Sequence, residues 1–155
     1  MPCLESVISQ WAILAIPAGQ TIATDSLVVV TSYARSRVSG TALSVNATSG
    51  LITVNTIGIY DIHSWAEFTA APGGWNVIEG PVFQGGQDYQ DIGNGLMWHN
   101  APAGFTIDAT VMQHKTTFVV ASLPQSVNLQ VAHTRGSNDF VYNGGLTIVK
   151  IGTYT

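Results

Sequence analysis

The side chains able to do chemistry are few and scattered. Asp88 and Asp91 lie close together in a glycine-rich stretch, with Glu79 and Asp108 on either side in sequence. Two carboxylates at a fixed separation could act as acid and base in glycoside cleavage, and several oxygens together could hold calcium. A close acidic pair in a loop is equally the composition of a solvated turn, which is the plainer reading. His63, His99, His114 and His133 have no metal-ligand spacing, and each is expected as a satisfied strand or surface histidine. The serines lack a Gly-x-Ser-x-Gly elbow, and Cys3, the single cysteine, sits in the leading segment. Gly144-Gly145 falls between β-like runs rather than before a helix, so it is no phosphate or dinucleotide loop. Asn46-Ala47-Thr48 fits a glycosylation acceptor, but with no targeting signal read at the start of the chain we take it as turn chemistry. We therefore expect no catalytic residue, cofactor or metal. A glycan hydrolase or a calcium site at Asp88–Asp91 remains as an alternative.

Composition narrows the classes further. The chain has 155 residues, 46% hydrophobic and 9% charged, against about 25% charged in an ordinary globular domain. That length fits one domain able to bury roughly 68% of its unfolded surface without a metal or disulfide staple. The formal net charge is −4, and the five Lys and Arg residues form no basic cluster. Direct nucleic-acid binding is not expected on that distribution. No signal peptide is read, and no run approaches the roughly 20 apolar residues of a membrane-spanning helix. So little charge on a chain with several aromatics predicts a surface covered by other subunits.

The elements that must position these residues are read as strands. Sixteen glycines and recurrent Val, Ile and Thr favour β-structure with many turns. The segment Leu43–Phe68 organises the rest: Ser49-Gly50 and Ile57-Gly58 punctuate short runs, and a long alternating strand begins at Ile59. Tyr60, Ile62, Ser64, Ala66 and Phe68 share its core face, while Asp61, His63, Trp65 and Glu67 share the other. Before it, residues 1–20 are set apart as an N-terminal arm or leading segment, with the domain proper at 21–155. Leu4, Ile8, Trp11 and Ala15 fall at helical spacing, though the segment could equally be extended. Thr21–Tyr33 reads as a strand, with Asp25-Ser26 marking a bulge or a turn near its start, and Arg35-Ser36-Arg37 as a solvated strand end or loop, with an acidic-partner spot as the minority view. Trp75–Gly95 reads as one strand plus a long loop, and later runs at Leu96–Trp98, Phe105–Gln113, Thr116–Ala121, Val127–Ala132 and Leu146–Ile151 bring the count to about eight to ten strands. The expected class is all-β, an antiparallel sandwich or closed barrel.

Two passages resemble the tumour-necrosis-factor/C1q-like family of trimeric jelly rolls. SGLITVNTIGIYDIHSWAEF is similar to that family's turn, short strand, Gly-x-Tyr and long strand, with Gly58 and Tyr60 at the motif positions. SLPQSVNLQVAHTRGSNDFVYNGGLTIVKIG resembles its ending, with Phe140, Tyr142, Gly144, Gly145 and Leu146 in the aromatic-glycine passage. The likeness runs from near Leu43 to Gly152; the middle region and the first 40 residues depart from it. It implies a jelly roll, a homotrimer, and Tyr60, Phe140 and Tyr142 as interface candidates. Trp65 is an interface candidate from its own parity, opposite to Tyr60. Trp11, Trp75 and Trp98 complete the aromatic set proposed for oligomer or partner contacts.

The resulting expectation is a virion protein: a trimeric decoration or cement protein on the outer surface of a bacteriophage capsid, bound to the major capsid protein and assembled in host cytoplasm. The alternative is a receptor- or carbohydrate-binding module of a phage fibre or bacterial surface protein. There Trp75, Tyr89 and Trp98 would form a sugar platform.

Overall fold

The structure is a computed structural model that describes residues 9–23, 28–72, 75–84, 97–101, 106–133 and 139–154. Every strand pairing in it is antiparallel, and the chain builds two sheets of six strands. In chain order the strands are β1 (Trp11–Pro17), β2 (Gln20–Ile22), β3 (Val28–Val29), β4 (Tyr33–Ser39), β5 (Leu43–Asn46) and β6 (Leu51–Val54). They continue with β7 (Gly58–Pro72), β8 (Trp75–Gln84), β9 (Met97–Ala101), β10 (Thr106–Val120), β11 (Gln125–His133) and β12 (Asp139–Gly152). The first sheet runs β10-β7-β12-β1-β4, with β2 also on β12; the second runs β5-β6-β11-β8-β9, with β3 also on β11. This is the expected all-β jelly roll, ten strands in the two main orders and two short additions.

The alternation of β7 sets the core. Tyr60, Ile62, Ser64 and Ala66 are all fully buried. Their cross-strand neighbours share that face: Ile148 and Ala12 extend the row from Ile62, and Leu146 and Leu14 the row from Ser64. Opposite them the second sheet supplies Ile52, Val54, Val127, Leu129 and Val131. Truncating one of the buried leucines to Ala removes about 2–5 kcal/mol.

Three expectations change. Trp11–Pro17, from the leading segment, is a strand inside the first sheet, flanked by β12 and β4. Thr21–Tyr33 is not one strand: β2 belongs to the first sheet and β3 to the second, so the chain crosses between layers here. Gln20 ties that crossing, its Nε2 donating to the Val29 carbonyl (2.9 Å) and its Oε1 accepting from the Thr31 N–H (3.1 Å). Finally, Gly144-Gly145 does not break the last strand, which runs through both glycines as part of β12. In the turn after β5, Asn46 Oδ1 accepts from the N–H groups of Thr48 and Ser49, both at 3.1 Å, so this motif does turn work.

Tyr60 is the anchor of the first sheet's lower end. Its hydroxyl donates to the Thr56 carbonyl at 2.7 Å and lies 3.0 Å from the Thr56 hydroxyl, while Phe118 stacks on its ring at 5.7 Å. Lys150 Nζ lies over the ring and donates to Thr56 Oγ1 at 3.0 Å. Gly58 permits this closure: a Cβ there would stand 2.6 Å from Lys150 Cε and 2.7 Å from the Gly152 carbonyl. Burial pushes the Tyr60 hydroxyl above its ordinary pKa of 10.0, opposed in part by the Thr56 hydrogen bond. The folded state thus holds the phenolic proton more tightly than the unfolded chain. Its contribution is whole below the unfolded value and is lost as pH rises through the folded one. Tyr60→Phe should cost about 1 kcal/mol at neutral pH and shrink the loss of stability above pH 10. Denaturant titrations of both proteins across the alkaline range check this; an unchanged alkaline decline contradicts it.

Candidate functional site

The outer face of the first sheet is a grid of three rows set by strand register. From β10 to β4 one row reads Lys115, His63, Thr147, Ile13, Arg37. The next reads Thr117, Asp61, Val149, Trp11, Ser39; the third crosses Trp65, Gly145, Ala15 and Arg35. Thr117 Oγ1 donates to Asp61, and His63 stacks on Trp65 at 5.5 Å and 28°. Asn143 Nδ2 donates to Glu67 Oε2 at 3.1 Å beside them. Asp61, His63, Lys115, Thr147, Val149 and Ile151 line an open depression of about 260 Å³.

Trp65 lies flat across this grid because its row is made of small residues. The indole passes over Gly145, where a Cβ would run into Trp65 Cζ2 and Cη2 and stand 2.7 Å from the Leu14 carbonyl. A glycine inside a strand commonly marks such a close approach. Beside the polar His63, Thr147, Asn143 and Glu67, the same face leaves apolar side chains uncovered by the described residues: Trp11, Ile13 and Val149 are half-buried, and Val119 and Ile151 are 46% and 53% exposed.

The sequence-predicted residues fare unevenly. Trp11 and Trp65 share the outer face. Tyr60 is corrected: fully buried within its own chain, it has no surface to offer a partner. Trp75 pairs with Ala101 and Trp98 with Ile78, three steps apart along the β8–β9 ladder, so register does not set them side by side. Phe140 pairs with Thr21, and Tyr142 falls at a register shift between Val141 and Asn143. Cys3, Asp88, Tyr89 and Asp91 lie outside the described residues. His99 and His133 flank Val77 on neighbouring strands of the second sheet, and His114 pairs with Ser64 in the first. Among the described residues no three His, Cys, Asp or Glu side chains gather as a metal site. Ser64, next to His63 in the chain, is buried on the opposite face, while the Thr117 hydroxyl on this face is the one bonded to Asp61. Sequence reasoning missed Gly145, Val119 and Ile151; a glycine pair inside an otherwise apolar run was the available signal.

No protein-family model matches the chain, and no curated protein sequence matches it. Solved structures do. The fold is similar to murine APRIL, with a TM-score of 0.61 and 12% identity over 92% of this chain and 99% of that one. It is also similar to Eiger TNF from S. frugiperda, with a TM-score of 0.63 and 10% identity over 96% of each chain. At this identity the likeness shows the fold, a TNF-like jelly roll.

Gly145→Ala should destabilise by about 1–3 kcal/mol and shift the tryptophan near-UV circular dichroism, because the new methyl displaces the indole. In a Trp65→Ala background the cost should fall. A cost equally large there would assign the obstacle to the Leu14 backbone instead.

Proposed function

We propose that the chain is a non-enzymatic structural protein that assembles as a homotrimer through the outer face of its first sheet. In that form it decorates a bacteriophage head, on the outer surface of the capsid against the major capsid protein. The observation that carries the trimer is the uncovered apolar strip from Val119 and Ile151 through Val149 and Trp11 to Trp65. Contiguous exposed apolar surface of this kind marks an interaction site more often than a free exterior. Low overall charge agrees with a protein that spends its working life covered by neighbours. The resemblance to trimeric jelly rolls supplies the stoichiometry. The capsid assignment rests on analogy with phage-associated domains of similar fold, combined with the lack of a recognised catalytic motif in the sequence.

The competing reading, a receptor- or carbohydrate-binding module, draws on Trp75, Tyr89 and Trp98. The three-step offset of Trp75 and Trp98 gives it less support than the strip gives assembly. Sedimentation equilibrium should return three times the chain mass for the wild type and a folded monomer for Val119→Glu/Ile151→Glu. A wild-type monomer at high concentration overturns the trimer. Trimers should bind matching capsids and raise their disruption temperature; trimers that leave capsids untouched overturn the decoration role.

A further inference from the structure

We infer that the free edge of β4 receives an acidic, extended segment of a partner protein by strand addition. Among the described residues β4 (seven residues, Tyr33–Ser39) ends the first sheet with β1 as its one ladder partner; the Tyr33 N–H is taken by the Ala47 carbonyl at 2.9 Å, which leaves the edge from Ala34 onward. Ala34 through Val38 are all exposed, so both faces of the strand and its outer edge are open. An edge strand presents a row of unpaired N–H and C=O groups, the template a further strand reads.

Charge identifies the occupant. Arg35 and Arg37 stand two residues apart on the outer face, across from Ala15 and Ile13. Among the described residues neither guanidinium has a hydrogen-bond or ion-pair partner. They are two of five basic residues in a chain of net charge −4, while β5, β9 and β10, which end the sheet orders elsewhere, carry only Lys115 among them. Together with Ala34 and Ser36, the two arginines and the small apolar residues Ile13 and Ala15 line an open groove of about 750 Å³. On an added strand, side chains at i and i+2 repeat about every 6.6 Å and face the same side. Acids at alternate positions therefore meet Arg35 and Arg37 in register, and small apolar residues between them meet Ala34 and Val38. A second copy pairing β4 to β4 would set arginine against arginine, which opposes that occupant. Two guanidiniums are too few to hold a phosphate backbone, which favours a peptide over nucleic acid.

Arginines on an edge also discourage self-association, and the experiment separates the two roles. It goes beyond the trimer proposal and stands without it, because burying unpaired guanidiniums in an apolar contact is costly and keeps β4 at the margin of that face.

The probe is a fluorescent peptide alternating Glu and Val, long enough to span β4, titrated against the full chain and followed by anisotropy. Saturable binding is expected, weakening with salt and slowing amide exchange within Tyr33–Ser39. A peptide of the same composition with its glutamates in one block should bind less well. Arg35→Gln/Arg37→Gln, checked for an unchanged unfolding midpoint, should lose about tenfold in affinity. Should that pair fail to fold, the single Arg37→Gln variant and the amide-exchange readout on wild type carry the test. Equal binding of both peptides, exchange unaltered in β4, or no binding at all overturns strand addition. Self-association of the arginine variants with no peptide binding by the wild type assigns the arginines to edge protection instead.

Discussion

The period-two alternation of β7, held in register between β10 and β12, is the constraint on which the molecule depends. On one parity it commits Tyr60, Ile62, Ser64 and Ala66 to the core; on the other it commits Asp61, His63, Trp65 and Glu67 to the outer face. A slip of one residue would exchange the two sets and bury two carboxylates. The ladder to β10 is continuous from Ala109 to Val120, so correct pairing anywhere along it fixes the rest. β12 follows the same parity beside it, which places Gly145 under Trp65 and Leu146 against Ser64.

From that alternation comes a division of the surface. The first sheet's outer face carries an apolar strip of Val119, Ile151, Val149, Trp11 and Ile13 beside the polar Asp61, His63 and Thr147, and Gly145 and Ala15 leave room on it for one indole to lie down. Positive charge without a partner among the described residues stands at the β4 margin. Such a face lowers its free energy by association in its centre and by polar contact at its rim, the usual anatomy of a protein interface. Two polar pairs on the face engage one another: Thr117 with Asp61, and Asn143 with Glu67.

Much of this was legible in the chain, and the failures have physical causes. The parity of residues 59–68 was readable because β7 is long and buried on one side only. Trp11 and Ala15 left helix and strand equally open because a spacing of four satisfies both a helix face and an even strand parity. Tyr60 was offered to a partner through a motif likeness, although its own alternation with Ile62 already assigned it to the core. The crossing between β2 and β3 could not be read locally, since it is fixed by Gln20 reaching Val29 and Thr31. The role of Gly145 depends on a residue 80 positions away in sequence, and only the β7–β12 register brings Trp65 over it. Continuity through Gly144 was hidden for the same reason: strand propensity sees two glycines, whereas the ladder sees two filled positions.

The most direct test places a spin label on the face itself. Thr147 lies at its centre, between His63 and Ile13. With Cys3 replaced by Ser, a label at residue 147 should be immobilised and should show dipolar coupling between chains. A label at Ser44, exposed on the second sheet, should stay mobile with longer separations. A mobile, uncoupled label at residue 147 in concentrated protein would contradict the covered face on which this account rests.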